Sequence, residues 1–165
     1  MTIRPAADHD VDAISQIIMH HAAEGLLLPR SKSAINASLP GYLVADDGGR
    51  ILACGALHRY SGDLAEICGL ATAPGVAGKG TGSAIVRALI EVARSHDLSK
   101  VFALTLVPQF FEKLGFRSIP HETLPQKIWK DCIACPKFGA CNEIAVLMEI
   151  ANEGTASLRL GIRVC

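Results

Sequence analysis

The sequence predicts an α/β (α+β) fold in which helices flank a mixed, largely antiparallel sheet. Two apolar runs, residues 42–45 and 51–58, lie on either side of a turn at 46–49 whose Asp and Gly residues tolerate positive φ, which indicates a hairpin. A third run, Leu64–Thr72, extends this antiparallel meander. A helical segment then leads to residues 101–106, which are apolar on both faces, as in a buried strand reached through a helical crossover. We therefore expect residues 101–106 to lie parallel to Leu64–Thr72.

Helical spacing and capping residues predict the elements before this sheet. Residues 2–4 predict a short first strand. Asp8 predicts the N-cap of a helix that Gly25 ends. The apolar stripe of this helix consists of Val11, Ile14, Ile17, Ile18 and His21 or Ala22. A shorter helix, begun by Ser31 or Ser33, follows it.

The second half of the chain alternates helices and strands. A helix that begins after Gly82 should run to about Ser95, and Pro108 opens a brief helix that ends at Gly115. The remaining predicted elements are a strand at 116–119, a helix at 125–131 and a strand at 144–150.

Length and composition indicate a single globular domain that does not bind nucleic acid. Of 165 residues, 50% are apolar, and 16 basic residues balance 16 acidic ones, so there is no basic field for nucleic acid. We expect one domain over residues 1–150, with a cysteine-containing insertion near 120–142 and a tail of weak pattern at 151–165. No apolar run reaches membrane-spanning length and the N-terminus lacks a secretory pattern, so the cytoplasm is the expected compartment.

A glycine-rich loop joins Leu64–Thr72 to the following helix. Gly78, Gly80 and Gly82 leave backbone N–H groups uncovered beside a helix N-terminus, an arrangement that suits a phosphate. A Walker loop is excluded because Gly80, not Ser or Thr, follows Lys79, and the dinucleotide fingerprint fails at its last interval. The loop is either a site for another phosphate ligand or a surface turn that caps the helix.

The run L-A-T-A-P-G-V-A-G-K-G-T-G-S at residues 70–83, its amphipathic helix and F-E-K-L-G-F at 111–116 resemble the GNAT acetyltransferase superfamily. The resemblance implies that the strands before and after the main helix splay apart and hold the pantetheine arm of acetyl-CoA between them. Loop amides would hold the pyrophosphate, with Ala77 where the family has Arg or Gln. The residues so assigned to acetyl-CoA are Leu70, Ala71, Thr72, Ala77, Gly78, Lys79, Gly80, Thr81, Gly82, Ser83 and Phe111.

A finer resemblance is to the N-acetylglutamate synthases. It rests on L-L-L-P-R-S at 26–31, C-G-A-L at 54–57, L-S-K-V-F-A-L-T at 98–105, F-F-E-K-L-G-F at 110–116 and L-P at 124–125. It implies L-glutamate as acceptor, a stand-alone short form without an amino-acid-kinase-like domain, and a homodimer. Arg30 with Ser31 would bind one carboxylate, because a guanidinium clamps a carboxylate bidentately. Weaker candidates, for the second carboxylate, are Lys113, Arg59 and Arg117.

The acceptor ammonium must lose a proton before its nitrogen attacks. Glu66, acting through a water, is the expected general base, with His58 on the neighbouring strand as reserve. The alternative is that Glu66 is a sheet-edge carboxylate and His58 a half-buried strand residue. Many members of the superfamily have Tyr at Phe111 to protonate the CoA thiolate, but the synthases also have Phe there. Two alternative functions stay open, namely acetylation of another small amine or amino acid and a non-catalytic CoA-binding sensor.

Three cysteines follow the last predicted helix. Cys132, Cys135 and Cys141 provide three thiols, whereas tetrahedral zinc takes four ligands or three and a water. Cys165, His121 or Cys54 would have to complete such a set in space, and no spacing favours any of them. Metal binding, redox function and packing therefore stay open, and no metal is predicted.

Overall fold

The computed structural model describes residues 1–124 and 142–150. Its strands are β1 (Thr2–Pro5), β2 (Tyr42–Asp47), β3 (Arg50–Ser61), β4 (Leu64–Thr72), β5 (Lys100–Thr105), β6 (Arg117–Ile119) and β7 (Ile144–Glu149). Its α-helices are α1 (Val11–Ala23), α2 (Lys32–Ser38), α3 (Thr81–Ser95) and α4 (Pro108–Glu112). One sheet runs in the order β1-β2-β3-β4-β5-β7-β6, and every neighbouring pair is antiparallel except β4 and β5. The predicted mixed, largely antiparallel sheet is confirmed.

The β2–β3 hairpin turns at two glycines. Gly48 and Gly49 have φ of 62° and 92°, a conformation that side chains with a Cβ rarely adopt. β3 extends beyond the predicted end at His58, because it keeps pairing with β4 as far as Ser61, opposite Leu64.

The predicted cap at Asp8 is wrong, whereas the predicted end of α1 is confirmed. A 3-10 turn at Asp8–Asp10 precedes α1, and it is Asp10 whose carboxylate accepts the Ala7 N–H at 2.8 Å. Asp10 is also buried against Arg4, which explains why the carboxylate of Asp10 is the one held. At the other end Gly25 has φ of 73°, its N–H donates to Ala22 and the next N–H to His21, which is a Schellman motif.

The two faces of the sheet carry separate cores. α3 covers one face through Ile85, Val86 and Leu89, and α1 with α2 covers the other through residues such as Ile14, Ile18 and Ile35. Gly55 of β3 lies where α3 approaches most closely. A Cβ on Gly55 would come within 2.8 Å of the Ile85 side chain, so this crossing requires glycine.

β4 and β5 pair in parallel, as predicted, but over three residues only. The pairs are Leu64 with Lys100, Ala65 with Val101 and Glu66 with Phe102, and both strands continue beyond them without pairing to each other. The sheet therefore opens at its centre, at the carboxyl ends of these two strands.

Several predictions fall on residues that the structure does not describe. These are the helix at 125–131, the three cysteines Cys132, Cys135 and Cys141, and the tail at 151–165. Within the described residues, no helix has both the length and the apolar character that crossing a membrane requires.

Candidate active site

A cleft of about 260 Å³ occupies the opening between β4 and β5. One wall is the end of β4 from Ile67 to Thr72, and the opposite wall continues from Ala103 to Val107. Phe110 and Phe111 of α4 and Gly82 of α3 close it at one side, and His21 with Leu27 at another. The side chains are mostly apolar, so the peptide groups of β4 supply much of the polarity.

The pairing of β4 with β3 determines which of those peptide groups face the cleft. Ala73 N–H donates to the Leu52 carbonyl of β3 at 2.8 Å, and Thr72 is the next residue in the same register. In an antiparallel pair, hydrogen-bonded and non-hydrogen-bonded positions alternate. The N–H and C=O of Thr72 therefore point away from β3 and into the opening.

β4 bulges at Gly69, directly beside the cleft. Cys54 pairs with Ala71 but Ala56 with Cys68, so β4 has an extra residue at this point. Gly69 has φ of 58°, and a Cβ there would lie 2.8 Å from the Tyr42 hydroxyl oxygen. Both the backbone conformation and the space require glycine here.

The loop before α3 exposes peptide N–H groups at a helix N-terminus. Gly75, Gly78 and Gly80 all have positive φ, and the N-cap Gly80 supplies no side-chain cap. The first turn of α3 contains no acidic residue. Its leading N–H groups have no partner within the helix and the helix dipole is positive there, so this end can bind an anion. Thr81 is buried, while Ala77 and Lys79 are exposed.

A polar cluster lies on the α1–α2 face of β4, beside the cleft. Tyr42 pairs with Ala56, and Ala56 with Cys68, so these three form one row across the sheet, with Glu66 two residues before Cys68 on the same face. The Arg30 guanidinium, from the α1–α2 connection, lies among Cys68, Tyr42 and Glu66. We refer to Arg30, Tyr42, Glu66 and Cys68 as the Arg30 cluster.

Burial and mutual charge shift the pKa values in this cluster. Burial works against the charged form of Arg30, yet its pKa is raised because Cys68, Tyr42 and Glu66 favour the cation. Burial raises the pKa of Tyr42 well above its usual range, and Arg30 opposes that rise. The Tyr42 hydroxyl is fully buried, and it lies near Arg30 without forming a hydrogen bond of normal geometry to any described residue. Nearby, burial raises the pKa of the Cys54 thiol to about 12.

The other residues singled out from the sequence lie in different settings. His58 sits opposite Glu66 on β3 and contacts the Tyr60 ring edge-on at 4.7 Å between centroids. Phe111 is buried against Phe110 and Phe116 and lines the cleft. Ser31 is the N-cap of α2, and its hydroxyl oxygen accepts the Ala34 N–H at 3.1 Å.

The remaining cations lie away from the cleft wall. Lys113 is exposed just after α4. Arg59 donates to the carbonyls of Gly62 and His96, and Arg117 pairs with Glu149 at 3.2 Å.

Three neighbours of the site were not singled out from the sequence. Tyr42 and Cys68 look like ordinary strand residues, and only the strand register brings them to Arg30. His21 fits the apolar stripe of α1, but its Nε2–H donates to the Thr72 carbonyl at 2.8 Å in the cleft. The sequence signal that could have indicated His21 is an ionisable side chain at a position of the apolar stripe of α1.

Among the described residues, no group of three or more His, Cys, Asp or Glu side chains is arranged to hold a metal ion.

Comparison with known proteins agrees with this geometry. Residues 13–116 match the acetyltransferase (GNAT) family. An uncharacterised N-acetyltransferase of Chlorobaculum tepidum is 39% identical over 88% of this chain and 94% of its own length. An amino-acid acetyltransferase of Mycobacterium tuberculosis is 37% identical over 78% of this chain and 75% of its own length.

Solved structures show the same fold. A Mycobacterium tuberculosis protein in complex with CoA and NLQ superimposes with a TM-score of 0.80, at 28% identity, over 92% of this chain and 100% of its own. The N-acetylglutamate synthase of Neisseria gonorrhoeae, complexed with CoA and N-acetyl-glutamate, gives a TM-score of 0.84 at 25% identity. That match covers 91% of this chain but 35% of the synthase.

Proposed function

Because the chain belongs to the acetyltransferase (GNAT) family, with acetyl-CoA as its acetyl donor, we propose that it acetylates the α-amino group of L-glutamate. The observation that carries this proposal is the Arg30 cluster, where Arg30 lies beside Glu66 and Cys68, and Cys68 is part of the cleft wall. A cation beside a carboxylate is complementary to the carboxylate and ammonium of an α-amino acid. The names of the similar mycobacterial and neisserial proteins support the same substrate class.

The donor side of the cleft fits acetyl-CoA. Thr72 directs its N–H and its carbonyl, which also accepts the His21 N–H, into the opening, where an extended chain that carries amides can pair with them. Leu70 lines the same wall of the cleft. The amides at residues 77–83 and the N-terminus of α3 suit the pyrophosphate. When bound, acetyl-CoA supplies the thioester carbonyl, and fixed N–H donors of β4 stabilise the negative charge that develops on its oxygen.

On the acceptor side, Arg30 binds a carboxylate of glutamate and Ser31 orients the start of α2. Arg59 and Arg117 are already engaged, which favours Lys113 for the second carboxylate among the cations considered. Glu66 removes the ammonium proton through a water, with His58 opposite it as the reserve base. Holding the amine beside the thioester then supplies much of the rate.

Glu66→Gln tests the base directly. A positioned general base contributes about 10²-fold or more, so kcat should fall by at least that factor, and the acidic limb of the pH–rate profile should disappear. His58→Gln is the matched control on the neighbouring strand. An unchanged profile in Glu66→Gln together with a changed one in His58→Gln would assign the base to His58 instead.

The acceptor is identified by incubating the protein with acetyl-CoA and an equimolar mixture of the common amino acids, followed by mass spectrometry of the products. We expect N-acetylglutamate to dominate and to be lost in Arg30→Ala. If another acetylated amine dominates, the family and the acetyl donor stand, but the proposal that glutamate is the substrate is contradicted. CoA binding without any product would favour the sensor function, for which Ala77 and Phe111 are the motivating departures.

Homodimerisation and a cytoplasmic location stay predictions. Light scattering during size-exclusion chromatography gives the mass of the particle, and a value of one chain would contradict the dimer.

A further inference from the structure

His21 stands at the end of the cleft where β4 leads into the glycine loop. Its Nε2–H donates to the Thr72 carbonyl at 2.8 Å, and the imidazole is part of the cleft wall. The N–H of the same peptide unit, that of Ala73, donates to Leu52 of β3 at 2.8 Å. The peptide between Thr72 and Ala73 is thus held at both of its ends.

The peptide held in this way is the last one of β4 before Pro74 and the loop. Its carbonyl faces the opening and has two lone pairs, of which the imidazole N–H uses one. The other is available to an amide N–H of an extended chain lying along β4. The pantetheine arm of acetyl-CoA is such a chain, because it contains two amides.

We propose that His21 is a positioning residue for the pantetheine arm of acetyl-CoA. It fixes the orientation of the Thr72 carbonyl, so that the arm meets a hydrogen-bond acceptor that is already aligned. The Schellman motif at the end of α1 holds the backbone of His21, since its own carbonyl accepts the Leu26 N–H at 3.0 Å. The imidazole therefore reaches the cleft from a fixed helix end, and ordering it on binding costs little entropy.

The contact uses a ring N–H that is present both in the Nε2-protonated neutral tautomer and in the imidazolium. The groups facing the ring are Glu24, at 3.9 Å from Nδ1, and the exposed His20, whose ring centroid lies at 5.4 Å. His20 has the same chemistry but does not line the cleft, and it therefore provides a matched control.

Calorimetric titration tests the role without turnover. The probes are CoA, S-acetylpantetheine, which has the arm alone, and adenosine 3′,5′-bisphosphate, which lacks the arm. In His21→Phe we expect CoA and S-acetylpantetheine to bind about 10-fold more weakly, as for one lost hydrogen bond, and the bisphosphate to bind as to the wild type. His21→Gln, whose amide N–H reaches similarly far, should recover part of the loss, and His20→Phe should change nothing.

Three outcomes would overturn the proposal. Unchanged CoA binding in His21→Phe would show that the Thr72 carbonyl can bind the arm without a hydrogen bond from His21. Tighter binding would show that the imidazole competes with the arm. Equal weakening of both fragments in His21→Phe and His21→Gln would indicate a general effect on the fold. Because no acceptor is present, these results are independent of whether glutamate is the substrate.

Discussion

Two arginines in this chain illustrate opposite uses of the same side chain. Arg4 donates to both oxygens of buried Asp10, at 2.7 and 3.0 Å, and to Asp46 at 3.0 Å. Arg30 takes part in none of the ion pairs found within the described residues, and its neighbours are a thiol, a phenol and Glu66. Arg4 is saturated by the fold, whereas Arg30 has hydrogen-bonding capacity left for a ligand. This difference supports a structural role for Arg4 and the proposal that Arg30 binds a ligand.

The largest effect that this difference predicts is on acceptor binding. Arg30→Ala should lower kcat/KM for glutamate about 100-fold, mainly through KM, because charge-assisted hydrogen bonds to a carboxylate are lost. Arg30→Lys should recover only part, since an ammonium cannot bind bidentately. Steady-state kinetics on folded protein measure this. Arg4→Ala is the control, and equal losses of activity per folded molecule in both variants would remove the distinction.

The next effect concerns stability on the side of Arg4. Asp10→Asn keeps the shape but removes the charge that two Arg4 nitrogens contact, and Arg4 is 28% exposed, which screens the pair. We expect the free energy of unfolding to fall by about 2 kcal/mol, with catalysis per folded molecule unchanged. Urea unfolding measures it. Asp46→Asn, at a more exposed carboxylate, should cost less, and the reverse order would contradict this account.

The ion pair between Arg4 and Asp10 should also make the free energy of unfolding depend on pH in the acid range. The hydrogen bond from Arg4 lowers the pKa of Asp10, against burial, which raises it. A carboxyl with a lower pKa in the folded state contributes its full stability above the unfolded value of about 3.9 and loses it as the pH falls through the folded value. The free energy of unfolding should therefore drop below about pH 4 in the wild type and less steeply in Asp10→Asn. If the free energy of unfolding depends on pH in the same way in the wild type and in Asp10→Asn, this explanation is contradicted.

The smallest effect is expected beside Arg30. Tyr42→Phe removes a buried hydroxyl that forms no hydrogen bond of normal geometry to any described residue, so the free energy of unfolding should rise by about 1 kcal/mol. Tyr60→Phe, at a ring that contacts His58 and Phe102, controls for loss of a phenol. A loss of stability in Tyr42→Phe would show that the hydroxyl has a partner in solution.

The sequence predicted those parts of the molecule that depend on local pattern. The strands β2 to β5, the helix α3 and the parallel pairing follow from alternation, helical period and the crossover rule. Glycine spacing likewise predicted the loop, because Gly78 and Gly80 have the positive φ that only glycine adopts readily. Of the two serines predicted as possible starts of α2, the N-cap is Ser31.

The sequence did not predict the features that depend on tertiary contacts. Asp8 matches a capping pattern, but Arg4 and Ala7 hold Asp10 instead, and no local rule gives that preference. The approach of Tyr42 and Cys68 to Arg30 needs the register of three strands and a bulge at Gly69. His21 was counted with the apolar stripe because its contact, the Thr72 carbonyl, lies far away in the sequence.

The three-residue pairing of β4 with β5 also determines how the backbone of this protein exchanges its amide protons with solvent. Beyond Glu66, β4 pairs with β3 on one side only, so the N–H of Thr72 faces an opening while that of the next residue, Ala73, is bonded to β3. Protection at this end of the strand should therefore differ between neighbouring residues, slow where the N–H is bonded to β3 and fast where it faces the opening. A molecule that pairs along this edge slows only the fast members, so the exchange rates of β4 report occupancy of the cleft amide by amide.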